Sequence, residues 1–251
     1  KVSGHSKWST IKHKKAALDA KRGRDWSKLA RAITMAAKVG GGSINDNPRL
    51  RLAVDKAKAD NMPKDTIEKA IKKGTGELAG ADYEEVVYEG YGSGGVAIMA
   101  KATTDNRART AAEIKKLFER AGGSVGSSNF VALKKKKKGV ICIPLSAAAE
   151  ERIMEIALEA GADDVSTTDE LHELTCTADS FQQVRQAIED AGLPIASADL
   201  AMIAENSIPL DLEGARKVMR LVEALDDHDD IDAVYSNADM ADDVAAELAK
   251  G

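Results

Sequence analysis

The residues best suited to chemistry in this sequence are basic side chains near its start, interleaved with one tryptophan and two histidines. Lysine and arginine neutralise phosphate groups and release counterions, while tryptophan and histidine stack on bases or hydrogen-bond to phosphate oxygens. In the helical segment 11–22 only Ile11 and Leu18 form an apolar edge, so the segment buries little and its cations stay available. We therefore predict nucleic-acid contacts from His5, Lys7, Trp8, Lys12, His13, Lys14, Lys15, Lys21, Arg22 and Arg24.

Positive charge recurs on the helices predicted downstream. In the helix that opens at Pro48, Arg49 and Lys56 lie seven residues apart on one shoulder of the apolar face, and a second such pair lies on the other shoulder. A lone lysine-rich helix is ordinarily a solvated surface, but charge of one sign on successive helices favours contact with a phosphate backbone. The predicted contacts here are Arg49, Arg51, Lys56, Lys58, Lys64, Lys69, Lys72 and Lys73, together with Arg107 and Arg109.

Two motifs that look like ligand-binding loops lack the context that ligand binding needs. Gly90, Gly92 and Gly95 satisfy the spacing GxGxxG, but a strand-like run follows them instead of the helix N-terminus that binds a dinucleotide phosphate. The acidic run 226–230 lacks the glycine and the spaced glutamate of a calcium loop. We interpret the first motif as a turn and the second as a solvated acidic loop.

The residue pattern gives little support for a catalytic site or a metal site. His172 shares a strand face with Glu170, but no nucleophile accompanies them, so we interpret the two as a surface pair. Cys142 and Cys176 lie in apolar segments without CxxC spacing, which is typical of small buried side chains. The sequence therefore predicts a protein that is not an enzyme and that uses no cofactor or metal.

The charge of the 251-residue chain is divided unevenly. Its net charge is −5, but residues 1–80 carry 19 Lys and Arg against 8 Asp and Glu, whereas residues 139–251 carry 6 against 26. A basic region joined to an acidic one is typical of a protein that faces a polyanion. We expect the acidic region to hold its own shape, to limit non-specific binding or to contact a protein partner.

The composition indicates a globular protein that is not embedded in a membrane. Apolar residues make up 43% of the chain, a balance typical of folded domains. No apolar run approaches the length of a membrane span, and the basic N-terminus is not followed by a signal-peptide core. We therefore expect a cytoplasmic protein without a membrane partner.

Hydrophobic periodicity divides the chain into three predicted domains. Residues 1–78 show helical spacing and form a basic helical domain. Residues 139–204 give the order β-α-β-β-α-β, the split βαβ pattern of ferredoxin-like domains. We expect residues 79–138 and 205–251 to form one discontinuous domain around that insertion. The predicted fold class is α+β, with an N-terminal helical domain and two ferredoxin-like domains, one inserted in the other.

Five consecutive lysines, Lys134–Lys138, separate a strand predicted at residues 128–133 from one predicted at residues 140–144. The lysines fit a basic β-ribbon that touches nucleic acid. They equally fit the charges with which edge strands are guarded against aggregation. The sequence leaves both explanations open.

Ordered strings of residues run through the N-terminal half of the chain and resemble those of one known family. They are Gly4-His5-Ser6-Lys7-Trp8 with Ile11-Lys12-His13-Lys14-Lys15, Asn47-Pro48-Arg49-Leu50-Arg51, Asn61-Met62-Pro63-Lys64-Asp65, Ile71-Lys72-Lys73-Gly74-Thr75-Gly76, Tyr88-Glu89-Gly90-Tyr91-Gly92, and Thr104-Asp105-Asn106-Arg107 with Arg109-Thr110. With them the chain resembles the YebC/PmpR family of transcriptional regulators, and the similarity extends more loosely to the C-terminus.

The resemblance implies a three-domain α+β fold and a cytoplasmic nucleic-acid-binding regulator, usually of transcription. Some bacterial members, and the mitochondrial translational activators similar to them, act on translation at the ribosome, so the fold does not choose the target. We therefore predict a regulator that binds promoter DNA. The alternative is a ribosome-associated translation factor that binds ribosomal RNA through residues 4–15. A third hypothesis is a protein-interaction module that acts through the acidic ferredoxin-like domain.

Overall fold

The computed structural model of the chain describes residues 22–126, 135–167, 171–204 and 206–250. These residues divide into two compact units, a first unit of residues 22–126 and 217–234 and a second unit of residues 135–216 and 235–250. The fold mixes helices with mainly antiparallel sheets, as the sequence predicts. No helix in the described ranges is long and apolar enough to cross a membrane.

The first unit begins with a helical part made of α1 (Arg22–Gly40), α2 (Pro48–Ala59) and α3 (Lys64–Gly74). Their apolar faces meet in one core that includes Ile33, Leu50 and Val54. Proline occupies the first turn of α2, where its missing N–H costs nothing. These helices lie where the periodicity predicts them.

Asn47 fixes the connection between α1 and α2. Its side-chain oxygen accepts the N–H of Leu50 at 3.0 Å, which caps the N-terminus of α2. Its side-chain nitrogen donates to the carbonyls of Ala36 and Gly41, each at 2.8 Å. One buried amide therefore joins the end of one helix to the start of the next.

The helices α1 and α3 approach so closely that Gly74 has no room for a side chain. A Cβ atom at this position would lie 2.3 Å from the carbonyl oxygen of Thr34 and 2.7 Å from the Cβ of Ala37. The Thr34 hydroxyl lies 3.1 Å from the carbonyl oxygen of Ala70. The glycine is therefore required by helix packing as well as by the end of α3.

The rest of the first unit is built on a four-stranded sheet of order β3-β1-β2-β9, which contains β1 (Glu84–Tyr91), β2 (Ala97–Thr104), β3 (Ser124–Val125) and β9 (Ile231–Ser236). The helix α4 (Arg107–Arg120) buries Ile114 and Phe118. Residues Val218 and Leu221 of α7 (Leu212–Asp226) lie beside Gly92. The late strand β9 thus joins strands that precede it by more than a hundred residues.

The glycine-rich connection between β1 and β2 is a turn, as the sequence predicts. It contains a short 3-10 turn, Ser93–Gly95, in which Gly94 and Gly95 have φ values of 69° and 75°. Residues with a side chain rarely adopt these angles, so the glycines serve the turn geometry. The strand predicted at residues 128–133 lies outside the described ranges.

The second unit contains the predicted ferredoxin-like order of elements. Its sheet has the order β5-β6-β4-β7, formed by β4 (Lys135–Pro144), β5 (Ala162–Thr167), β6 (Leu171–Thr177) and β7 (Ser197–Ala204), all antiparallel. The helices are α5 (Glu150–Glu159) and α6 (Phe181–Asp190). The unit also has the short parallel pair β8 (Ile208–Leu210) and β10 (Ala238–Met240), and the helix α8 (Asp242–Lys250), which the sequence did not predict.

The lysine run begins the strand β4, which starts five residues earlier than predicted. Lys135 to Lys138 pair with Ala204 to Ala201 of β7, whereas pairing with β6 starts only at Lys138. Lys138 also forms an ion pair with Asp163. Since β4 has β6 on one side and β7 on the other, protection of an edge strand does not explain Lys138. The register fits a ribbon, and its contact with nucleic acid stays a prediction.

His172 is a buried residue, so its interpretation as part of a surface pair is wrong. Only 1% of it is exposed. Its Nδ1 lies 2.9 Å from the hydroxyl of Thr167, and its Nε2 lies 3.3 Å from the carbonyl oxygen of Ala148. His172 belongs to β6, which pairs with β4 on one side and β5 on the other. Both of its ring nitrogens have hydrogen-bond partners, as is usual for a buried polar group. Cys142 and Cys176 are buried and unbonded to each other, as expected.

Candidate nucleic-acid interface

The basic residues predicted at the start of the chain fall largely outside the described ranges. Arg22 and Arg24 lie in the first turns of α1, but their side chains are not described. The residues beyond the described ranges are His5, Lys7, Trp8, Lys12, His13, Lys14, Lys15 and Lys21. Their role in nucleic-acid binding stays a prediction.

Four predicted contacts form what we call the lysine surface: Lys58 of α2 and Lys69, Lys72 and Lys73 of α3. All four are exposed. Within the described ranges their side chains make no ion pair or hydrogen bond. The three lysines of α3 lie within four residues of one another, so they occupy neighbouring positions on one helix. The apolar faces of α2 and α3 supply the core, which leaves this surface to solvent.

Three other predicted contacts of the helical part already have protein partners. Arg49 forms a two-pronged ion pair with Glu85 on β1. Arg51 donates to the backbone carbonyls of Ile44 and Asn45, before α2. Lys64 lies 3.7 Å from the carboxylate of Glu68, one turn along α3. The structure thus gives Arg49 and Arg51 positions that hold the fold.

The remaining three predicted contacts differ in exposure. Lys56 of α2 is half-buried. Arg107 is exposed at the start of α4. Arg109, two residues further on, donates to Asp105 at 3.1 Å and to Asp230 at 2.7 Å. Among the described residues of the predicted interface, the lysine surface and Arg107 are therefore exposed and without a side-chain ion pair or hydrogen bond.

Asp230 lies at the centre of an ion-pair network that local sequence patterns do not indicate. The sequence predicted a solvated acidic loop at residues 226–230, but Asp230 is only 6% exposed. Its carboxylate accepts from the Thr110 hydroxyl at 2.6 Å and from the guanidinium groups of Arg109 and Arg31, the latter at 3.4 Å. The interpretation as solvent-exposed is therefore wrong for this residue, because the helical part and α4 supply its partners.

Electrostatics explain why Asp230 stays charged in this position. Burial acts to raise its pKa, but the hydrogen bonds from Thr110 and Arg109 and the charges of Arg109 and Arg31 outweigh it. The pKa of Asp230 is therefore below its ordinary value. The hydrogen bond and charge of Asp230 in turn raise the pKa of Arg109. Asp230 and Arg109 therefore both carry their charges near neutral pH.

Backbone carbonyls of the same loop bind α1. Lys28 donates to the carbonyl oxygen of Asp226, at the end of α7, and Arg31 donates to that of Asp229. Cations are favourable at a helix C-terminus because the last carbonyls lack partners within the helix. The Nε atom of Arg31 is buried and has no hydrogen-bond partner in the described part of the chain. Two cations of α1 therefore hold the loop in place.

Glu113, His228 and Asp230 have ligand atoms within 4.8 Å of one another, a spacing compatible with a metal ion. Each of these groups already has a protein partner. The Nδ1 of His228 accepts the N–H of Asp230 at 3.1 Å, and its Nε2 lies 2.9 Å from the carboxylate of Glu113. Since both ring nitrogens and the Asp230 carboxylate are engaged, hydrogen bonding explains this cluster without a metal.

Comparison with known proteins identifies the family. The model of the N-terminal domain of TACO1/YebC proteins matches residues 6–77, and that of their second and third domains matches residues 83–238. A probable transcriptional regulatory protein of Chlorobaculum tepidum is 50% identical over 98% of this chain and 99% of its own length. A protein of the same description from Geobacter sulfurreducens is 50% identical over 96% of this chain and 97% of its own.

A solved structure shows the same fold. It is the crystal structure of a conserved hypothetical protein from Aquifex aeolicus, with a TM-score of 0.82 and 42% sequence identity, and the match covers 90% of this chain and 94% of that one. The names of the curated relatives are regulatory rather than enzymatic. The family models together span nearly the whole chain, and the chain belongs to the TACO1/YebC family.

Proposed function

We propose that the protein is a nucleic-acid-binding regulator of gene expression and that its target is promoter DNA. The observation that carries this proposal is the lysine surface, whose four cations lie exposed on two packed helices and have no protein partner in the described ranges. The description of the relatives as probable transcriptional regulatory proteins supports DNA as the target.

The lysine surface suits a phosphate backbone rather than base edges. A lysine ammonium is a flexible point charge that neutralises a phosphate, whereas base readout uses planar groups such as arginine or asparagine in a groove. Contacts of this kind position a protein on nucleic acid and make its affinity depend strongly on salt. We propose that the lysine surface supplies this positioning.

The lysines also have a structural effect that an experiment must separate from binding. Lys58, Lys72 and Lys73 lie in the last turns of their helices, where positive charge interacts favourably with the helix dipole. This effect is worth about 0.3–1 kcal/mol per charge at an exposed site. A loss of binding after neutralisation is therefore informative only when the melting temperature is measured as well.

The test is fluorescence anisotropy with a 30-base-pair DNA pool of mixed sequence and a structured RNA of equal length, at about 0.15 M salt. We expect the variant Lys72→Gln/Lys73→Gln to weaken DNA binding at least tenfold. The matched control is Arg216→Gln/Arg220→Gln, which removes the same charge from exposed positions of α7 and should leave binding nearly unchanged. Equal loss in both double variants would show non-specific charge attraction and contradict the proposal.

The choice between DNA and RNA is a separate outcome of the same experiment. Lysine contacts read no base, so the lysine surface fits the phosphates of either polymer. Tighter binding of DNA, with one sequence enriched over repeated selection, would support transcriptional regulation. Tighter binding of RNA would instead support the ribosome-associated translation factor.

The acidic residues have a proposed part in the same function. Residues 139–251 carry 26 Asp and Glu against 6 Lys and Arg. Such a charge repels a phosphate backbone at a distance of up to about 8 Å at physiological salt. We propose that this region limits non-specific binding and offers a surface to a protein partner.

A further inference from the structure

A cleft of about 720 Å³ lies in the first unit, outside the lysine surface. One wall is a stripe of α4 that includes Lys116, Leu117 and Arg120, and the facing walls are formed by Arg31, Tyr83 and the loop Asp227–Asp230. This volume falls in the range of sites for small organic ligands. The cleft mixes aromatic, apolar and charged groups, so its chemistry depends on which charges are already neutralised.

Most carboxylates of the cleft already have a partner. Asp230 is paired with Arg31 and Arg109, Asp105 with Arg109, and the Glu113 carboxylate lies 2.9 Å from the Nε2 of His228. The carboxylates of Asp227 and Asp229 also line the cleft. By contrast, Lys116 and Arg120 are exposed, and within the described ranges their side chains have no ion pair or hydrogen bond. They are four residues apart on α4, so they project from the same helix face. The cleft therefore has two neighbouring cations of α4 that can bind an anionic group, while its loop lining is acidic.

The other lining groups determine which further chemical groups a ligand of this cleft can carry beside its anionic group. Tyr83 offers a ring against which a flat heterocycle can stack, and Leu117 offers apolar contact. Asp229 offers a carboxylate that can accept hydrogen bonds from hydroxyl or amino groups. A phosphate, a flat ring and a set of hydroxyl donors together make up a nucleotide.

We propose that this cleft binds a nucleotide, with its phosphate on Lys116 and Arg120 and its base against Tyr83 and Leu117. The nucleotide has two sources with the same chemistry, a free mononucleotide or one nucleotide of a nucleic-acid strand. The site goes beyond the proposed function, because it uses none of the lysines of α2 and α3 and can exist whether or not they bind DNA.

The test is isothermal titration calorimetry of the full chain with the four common 5′-mononucleotides, their nucleosides and inorganic phosphate. We expect one-to-one binding of at least one mononucleotide, with its nucleoside and inorganic phosphate at least tenfold weaker. The variant Lys116→Gln/Arg120→Gln should weaken binding at least tenfold, and Tyr83→Ala should weaken it several-fold. The control Arg216→Gln/Arg220→Gln should bind like wild type, and all variants should melt close to wild type.

Trinucleotides separate the two sources. Tighter binding of a free mononucleotide than of the same nucleotide inside a trinucleotide would support a free ligand, and the reverse order would support a strand. Mononucleotide binding that Lys116→Gln/Arg120→Gln leaves unchanged would overturn the site. Absence of binding by mononucleotides and trinucleotides, or inorganic phosphate as tight as the nucleotide, would also overturn it.

DNA binding by the lysine surface and nucleotide binding by the cleft can be tested independently. The variant Lys72→Gln/Lys73→Gln should lose DNA binding but keep mononucleotide binding. If that variant keeps DNA binding while the cleft variant loses the mononucleotide, the lysine surface is wrong and the cleft site stands.

Discussion

Two sets of cations in the first unit have the same charge and opposite surroundings. The four lysines of the lysine surface lie exposed and without protein partners in the described ranges, whereas Arg31 and Arg109 converge on the buried carboxylate of Asp230. An unpaired cation is available to an external anion, while a cation paired with a buried carboxylate already has a protein partner. Positive charge in a sequence therefore indicates a ligand only where the fold leaves it unpaired.

The same comparison distinguishes the arginines of the predicted interface from its lysines. The sequence treats Arg49, Arg51 and Arg109 as equivalent to the lysines, yet all three donate to carboxylates or carbonyls of this chain. Arginine's planar group suits such fixed, multiple hydrogen bonds better than a lysine ammonium does.

Removal of the Asp230 carboxylate should cause the largest loss of stability. Asp230→Ala leaves the guanidinium of Arg31, which is 13% exposed, without its buried partner. Breaking a fully buried pair costs about 3–5 kcal/mol, and the loss here should be smaller because the Arg109 side chain is 44% exposed. Urea denaturation followed by circular dichroism measures the loss. The matched control Asp82→Ala removes a carboxylate that is 93% exposed, and it should leave stability nearly unchanged. Equal effects of the two changes would show that the Asp230 network is not a stabilising feature.

The contribution of Asp230 should depend on pH in a defined direction. Because its pKa is lower when folded than when unfolded, its ionised form stabilises the fold above the unfolded value of about 4. This stabilisation is lost as the pH falls from about 4 through the lower folded value. The stability difference between wild type and Asp230→Asn, measured by urea denaturation, should therefore be constant from pH 7 to pH 5 and shrink below pH 4. A difference that grows on acidification would have the wrong sign.

Arg49→Gln should have the smallest effect. Its ion pair with Glu85 joins side chains that are 48% and 47% exposed, and exposed pairs contribute about 0.2–1 kcal/mol. We expect a stability loss in that range and a change in DNA affinity of less than threefold. A tenfold loss of affinity at unchanged stability would return Arg49 to the nucleic-acid interface.

The sequence predicts the fold well where periodicity governs structure. The i, i+3, i+4 spacing around Ile33, Leu50 and Ile67 predicts three helices that pack by those residues. The change to strand-like runs and the order of elements predict the ferredoxin-like unit. These features depend on local patterns, which a single sequence displays.

Local patterns fail where distant residues decide the structure. The pairing of Asp230 with Arg31 joins positions 199 residues apart, so an acidic run looks solvated until the fold supplies its partner. His172 is buried for the same reason, since β4 and β5 flank its strand. Lysines rarely favour strands, and the early start of β4 at Lys135 reflects its pairing with β7.

The candidate interface was predictable only in part. The sequence indicates which cations exist, and the lysines of α3 were among them. It does not indicate that Arg49, Arg51 and Arg109 are already engaged, nor that Lys116 and Arg120 line a cleft. A sequence signal for the last pair existed in their four-residue spacing on a predicted helix. However, Glu113 before the pair and Glu119 within it give that helix an ordinary mixed surface.

The proposed contact between the lysine surface and DNA phosphates is tested most directly by salt dependence. DNA binding is measured over a range of salt concentrations for wild type and for Lys69→Gln/Lys72→Gln/Lys73→Gln. Each phosphate contact adds about 0.9 to the slope of log affinity against log salt on duplex DNA. If each lysine contacts one phosphate, this slope should be smaller by about 2.7 in the triple variant than in wild type. The melting temperature of the variant should stay close to that of wild type. An unchanged slope and affinity in a folded triple variant would contradict the assignment of the lysine surface to nucleic acid.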